Sequence, residues 1–361
     1  MIDLLEYVNK NLSSFDKKTF NEVDALVFSW ISYYRLPNEM YRKNSNKEIA
    51  LKDFYNAKYF DDLLFDIAER EKSKTLLSYI AASPRFRDIT MSYYVEKTSK
   101  RIEKQFSAMT FRINNKKLVV AFRGTDHSFV GWKEDFNMSF LKHIPSQHEA
   151  VKYLEKILRN SKEKIYIVGH SKGGNLAVYA GSFLKKKYKK RIIQIYNFDG
   201  PNLNKDLTRS SEYKESKKLI KKYVPQSSVV GMCFDRTRDY KIIESTAIGV
   251  LQHVPFTWNI IKDKLRILKD TTFDSKMFKN GINALINNLS ESELRQFSNT
   301  IYAIVEETKT NTVEELLSNL SKNLKIMFDA SMNIDDSQRS LLSKVSNIFF
   351  NESFKNILKT K

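Results

Sequence analysis

Ile165-Tyr166-Ile167-Val168-Gly169-His170-Ser171-Lys172-Gly173-Gly174-Asn175-Leu176-Ala177 decides the fold. The first four residues form an apolar run that predicts a buried strand, and the run from Asn175 to Ala180 predicts a helix. Between them stands Gly-x-Ser-x-Gly. Strand, this pentapeptide and helix in that order predict a nucleophile elbow, in which glycines allow a turn too tight for side chains. The serine hydroxyl is then held above the sheet edge, beside the start of the following helix. The pentapeptide also occurs in ordinary turns, so its flanks carry the reading.

The histidines narrow the choice of a partner for Ser171. There are five: His127, His143, His148, His170 and His253. An α/β-hydrolase orders its triad Ser, then Asp or Glu, then His. Only His253 follows Ser171, so it is the candidate general base. It lies in the loop-like stretch Gly249-Val250-Leu251-Gln252-His253-Val254-Pro255-Phe256, after the strand-like Tyr240-Lys241-Ile242-Ile243-Glu244.

Outward from the elbow, strand and helix signals alternate. Residues 105–113 and 117–122 read as strands joined by the turn Asn114-Asn115, and 146–160 as a helix. Residues 164–168 and 191–198 read as strands flanking a helix over 175–187, with further strands over 219–224 and 240–244. This alternation implies an α/β fold with a mainly parallel sheet and helices on both faces.

Glycine and proline mark the ends of that core. All ten glycines fall between Gly124 and Gly281, and the last proline is Pro255. Phe20, Val23, Leu26, Val27, Trp30, Ile31 and Tyr34 recur at helical spacing, as do Val313, Leu316, Leu317, Leu320, Leu324 and Met327. Ser290 with Glu293, and Thr312 with Glu315, form capping boxes. The chain therefore divides into a helical region over 1–100 packed on or capping the core, a core over 101–262, and a helical region over 263–361.

Composition bounds the class. With 361 residues, 42% of them hydrophobic, the chain can build a sizeable core. Cys233 is the one cysteine, so no internal disulfide forms, and the N-terminus lacks a basic signal-peptide start. These features predict a cytoplasmic protein. The net charge of +19 favours anionic partners, with peripheral contact to an anionic membrane as one expectation. The densest run, Lys185 to Arg191, reads first as a solvated helix end. Zinc spacings, Walker loops, Gly-x-Gly-x-x-Gly and nucleic-acid modules do not occur, so neither a cofactor nor specific nucleic-acid binding is expected.

Three segments together resemble a known family. Ala121-Phe122-Arg123-Gly124-Thr125-Asp126, then Trp132 and Asp135, then Gly169 to Ala177 look like the class 3, fungal lipase-like, α/β-hydrolases. Asn197-Phe198-Asp199-Gly200-Pro201 and Leu251-Gln252-His253-Val254-Pro255-Phe256 bring the chain nearer to a bacterial branch of such hydrolases. The resemblance covers residues 105–260 and implies an α/β-hydrolase fold acting on a carboxylic ester or lipid. It implies Ser171 as nucleophile, His253 as base, and backbone N–H groups of Lys172 and Thr125 as oxyanion donors. Asp126 and Asp135 would brace the Thr125 loop.

The acid departs from the family pattern. Gln226-Ser227-Ser228-Val229-Val230 occupies the place where class 3 lipases carry it, and holds no carboxylate. Asp199 is preferred, with Asp235 and Asp239 as alternatives. Two functions follow: a serine esterase with a Ser-His-Asp triad, or a degraded lipase-like scaffold that binds a partner or an anionic surface.

Overall fold

The direction in which the parallel strands are added sets the layers. The structure, a computed structural model, describes residues 1–41, 48–126, 128–234, 238–310 and 320–354. Its main sheet takes up β1 (Ile49–Ala50), β2 (Thr90–Ser99), β3 (Lys104–Asn114), β4 (Lys117–Phe122), β5 (Lys164–His170), β6 (Ile192–Phe198), β7 (Ile220–Pro225) and β8 (Lys241–Ile243) in that spatial order. A two-stranded ribbon, β9 (Ile260–Ile261) with β10 (Lys264–Leu265), precedes β11 (Ile267–Leu268), which closes the sheet beside β8. β4 to β8 run parallel, while β1 to β4 and the β8–β11 pair are antiparallel. This is an α/β-hydrolase fold.

Successive parallel strands are added on one side only. Right-handed crossovers then place the connecting helices on a single face. α6 (Pro145–Arg159) and α7 (Lys172–Phe183) do this, packing Leu154, Ile157, Leu176 and Ala180 on Val120, Ile165, Ile167 and Ile195. Alternate residues of the same strands, Val119, Ala121, Tyr166 and Val168, point the other way.

The N-terminal region covers that second face. α1 (Leu4–Lys10), α2 (Glu22–Ile31), the one-turn α3 (Phe60–Leu63) and α4 (Arg70–Ala82) precede the sheet's centre in sequence. Leu26 and Phe28 of α2 are fully buried in the same cluster as Tyr166 and Val168. Phe20 stacks on Tyr166 with ring centroids 4.2 Å apart. A fully buried ion pair ties the layer together. Arg85 donates to both Asp24 oxygens, at 2.9 and 2.6 Å, and to the carbonyls of Ser13, Lys18 and Thr19. These extra acceptors matter because a buried pair is sound only when its remaining hydrogen-bonding positions are also filled.

Two of the expected helical flanks also carry strands. β1 and β2 lie within residues 1–100, and β10 and β11 within 263–361. β2 pairs along the edge of β3, which would otherwise leave backbone groups open. Its register breaks between Ser92 and Val95, where Tyr93 has φ 56°. The far C-terminal segments are helical: Phe273–Asn288, Glu291–Glu306, Leu320–Met332 and Asp336–Phe354. Leu289, Leu294, Leu341 and Val345 form their small core with Phe140. The Ser290–Glu293 capping box forms as the spacing predicts. Thr312, Glu315, Val313, Leu316 and Leu317 lie outside the described residues. Among the described residues, no helix is long and apolar enough to cross a membrane.

Candidate active site

β4, β5, β6 and β7 all end at one edge of the sheet, and the loops beyond their carboxyl ends meet there. Ligands of open α/β sheets bind at this edge. β5 ends at His170, and α7 starts at Lys172, so Ser171 alone makes the turn. Its backbone has φ 57° and ψ −135°, a strained combination for a residue with a side chain. The turn is held by Ser171 N–H to Phe198 O at 2.9 Å and Gly174 N–H to Ser171 O at 2.8 Å. Glycine is required on both sides. A Cβ on Gly169 would lie 2.1 Å from Gly173 O, and one on Gly173 would lie 2.1 Å from Phe122 O. The Ser171 hydroxyl makes no capping bond to α7, and the residue is partly exposed.

Asp199 follows β6 directly, with φ 50°, and is buried. Its Oδ2 lies 2.7 Å from His253 Nδ1. Its Oδ1 accepts Ser228 Oγ–H at 2.5 Å and Gly231 N–H at 3.1 Å. The loop over residues 226–230, which holds no carboxylate of its own, thus supplies a hydroxyl to one. The structure brings Asp199 to His253 and takes Asp239 elsewhere, into a 2.8 Å ion pair with Lys217. Asp235 lies outside the described residues.

His253 ends a short 3-10 turn, Gly249–His253, with its side chain 27% exposed. His170 steadies it. The His170 ring lies 4.5 Å from the His253 ring, its Nε2 lies 2.8 Å from His253 O, and its Nδ1 lies 2.9 Å from Tyr33 Oη. Donation from Nε2–H to the carbonyl requires Nδ1 to accept from Tyr33. Burial, reinforced by nearby His253, holds the His170 pKa well below the ordinary histidine value. It is a neutral strut. Nothing in the sequence separates it from the other histidines except its place beside Ser171.

The Thr125 loop packs against the elbow. A Cβ on Gly124 would lie 2.8 Å from His170 O and 3.0 Å from Ser171 Cβ. The loop runs into α5 (Phe129–Asn137), and carboxylates fix it at both ends. Asp126 accepts Ser128 N–H at 3.1 Å and Arg35 Nη2 at 2.9 Å. Burial opposes its ionisation, yet Arg123 and its other donors hold its pKa below the usual aspartate value. Asp135 accepts the Thr125 hydroxyl. Burial pushes the Asp135 pKa up to about 6, with Lys172 pulling the other way.

Lys172 departs from what its residue type suggests. Its side chain is fully buried, and Nζ donates to Gln105 O at 2.9 Å, to Gln105 Oε1, and to Glu134 Oε2 at 3.2 Å. The Lys172 backbone occupies the first position of α7, where free N–H groups favour negative charge. Among the described residues, no three His, Cys, Asp or Glu side chains gather to hold a metal ion.

Solved structures similar to the chain include M37 lipase, at 20% identity and TM-score 0.37, covering 60% of this chain and 71% of that one. A mutant form of MDLA from Penicillium cyclopium shows 15% identity and TM-score 0.38, covering 69% and 87%. A fungal lipase in an inhibitor complex shows 14% identity and TM-score 0.37, covering 62% and 78%. No curated protein sequence matches the chain. A family model described as Mbeg1-like matches residues 80–303, more than half the chain, and the chain belongs to the Mbeg1-like family.

Proposed function

We propose that the chain is a cytoplasmic serine acyl hydrolase of lipase or esterase type, from a bacterial branch of the lipase-like hydrolases. Its triad is Ser171, His253 and Asp199. The observation that carries this reading is the 2.7 Å His253–Asp199 contact, one strand beyond a serine held at φ 57°.

Ser171 Oγ attacks the acyl carbonyl carbon, and His253 Nε2 takes its proton. Asp199 keeps the Nδ1–H oriented and stabilises the imidazolium. Negative charge develops on the carbonyl oxygen, facing the backbone N–H groups of Lys172 and Thr125. The Thr125 hydroxyl proton is committed to Asp135, so the backbone N–H is that residue's free donor. Collapse of the intermediate passes the His253 proton to the leaving alkoxide and leaves an acyl-serine. Water, deprotonated by His253, then releases the acid. The substrate is a carboxylic ester, and no step calls on a metal or cofactor.

The test is labelling with a soluble fluorophosphonate, located by peptide mass spectrometry, on the wild type and on Ser171→Ala. Label at Ser171 in the wild type, and none in the variant, is expected. A folded wild type that takes no label, or a variant that keeps it, refutes the reading and favours the scaffold.

A further inference from the structure

The loop that delivers His253 carries an apolar tip. Ala247-Ile248-Gly249-Val250-Leu251 contains no charged or polar side chain. Ile248 is 84% exposed, Val250 67% and Leu251 65%. Gly249, at φ 56°, has nothing within 4 Å of the position its Cβ would take, so the tip projects into open space. Large apolar side chains on a soluble surface are ordinary when scattered, but three within four residues at an active-site rim form a patch.

The base of this tip is rigid. Gln252 Nε2 donates to Ala247 O at 2.8 Å and closes the loop on itself. Thr246 N–H bonds to Thr257 O at 2.8 Å, and Trp258 Nε1 to Gln252 O at 2.6 Å. A stiff stem bearing bare aliphatic side chains loses little conformational entropy when those side chains enter another phase. Across the site, the helix that follows the Thr125 loop adds Trp132, 54% exposed.

A cationic cleft lies beyond the base of the tip. Gln252 Oε1 accepts Ser227 N–H at 2.8 Å, and Ser227 Oγ lies 2.9 Å from Thr272 Oγ1. Next to Thr272 is a cleft lined by Arg238, Lys269, Lys276 and Lys279, with Asp270 as its one carboxylate. Three side chains offer far too little area for a stable protein interface, which needs roughly 800 Å² from each partner. An apolar point with cations behind it matches the two layers of an anionic bilayer, acyl chains below and phosphates above.

We propose that residues 247–251 form a prong that inserts into an anionic phospholipid surface and brings the Ser171 site to an ester held in that surface. The proposal rests on the hydrolase reading for the chemistry it serves, but the insertion itself needs no chemistry. Burying an aliphatic side chain is worth roughly one to two powers of ten in affinity.

The experiment is co-sedimentation of the full chain with phosphatidylcholine vesicles, with and without phosphatidylglycerol, for wild type and an Ile248→Asp, Leu251→Asp double variant. Binding to phosphatidylglycerol vesicles that weakens with salt, and falls about a hundredfold or more in the double variant at an unchanged melting temperature, is expected. A wild type that binds neither vesicle, or a double variant that binds as well as wild type, overturns the proposal. Val250→Trp gives a second readout. Its emission shifts to the blue on vesicle binding if the prong inserts, and emission open to an aqueous quencher in the bound state overturns insertion. Fluorophosphonate labelling needs no vesicles and separates the two readings. A chain that labels at Ser171 but ignores vesicles loses the prong alone, whereas one that binds vesicles through the tip but never labels loses the hydrolase alone.

Discussion

Replacing Lys172 by methionine removes the cation from a buried cluster directly behind the elbow. Glu134 would keep Gln105 N–H at 2.9 Å, Ser146 N–H at 3.0 Å and the Ser146 hydroxyl at 2.6 Å, but lose the ammonium at 3.2 Å. Removing one partner of a buried pair costs roughly 3–5 kcal/mol, because a charge stays behind without its counter-ion. Three remaining donors put this case near the lower end, at about 3 kcal/mol. Glu134→Gln strands the ammonium against the Gln105 oxygens and should cost a similar amount. Combining the two removes both charges, so the double variant should recover about 2 kcal/mol relative to the sum of the singles. Urea unfolding of wild type, both singles and the double measures this directly. Singles that cost less than about 1 kcal/mol, or a strictly additive double, would refute an ion pair that stabilises the elbow. The same substitution touches the Thr125 loop, since Lys172 opposes the upward push of burial on Asp135.

Asp199→Asn should lower the turnover of a soluble ester by about four powers of ten, as loss of the acid does in other serine triads, while Asp239→Asn should leave it nearly unchanged. Equal loss in both, or in Asp239→Asn alone, would move the acid. The neutral state of His170 gives a pH prediction. Folding lowers its pKa, so below the ordinary histidine value the unfolded chain binds a proton that the native chain does not, and stability falls as pH falls through that window. By NMR the His170 ring should titrate well below the ordinary histidine range, and a midpoint near 6.5 would contradict its role as a neutral strut.

The parts of the fold that obey one short-range rule were legible in the sequence. The elbow was one, because sterics at Gly169 and Gly173 admit no side chain. The central strands were another, because their residues alternate between two apolar faces. The covering of the second face was not. Helical spacing at residues 20–34 shows an apolar stripe but not its target, which depends on all the crossovers falling on one side of the sheet. β2 was hidden for a different reason. Its central residues are half exposed and its register is broken, so no clean alternation survives. At the candidate site, Ser171 and His253 could be proposed from spacing, whereas Asp199 was one of three carboxylates, and only the fold shows its side chain against His253. The burial of Lys172 could not be foreseen, since lysine reads as surface and its partners Gln105 and Glu134 lie 67 and 38 residues away.

The N-terminal layer also sets the order of events on the ribosome. Phe20 and α2 are synthesised before the strands they cover, and Tyr166, on which Phe20 stacks, emerges 146 residues after Phe20 (166 − 20). At about 5–20 residues per second, that interval is roughly 7–30 seconds. Until Phe111 of β3 emerges, a helix whose residues from Val23 to Ile31 are all buried in the finished protein has no strand to rest on, and its packing on β5 waits for Tyr166. The nascent chain is therefore exposed to aggregation at α2, and a holding chaperone should act there, before the core sheet is complete.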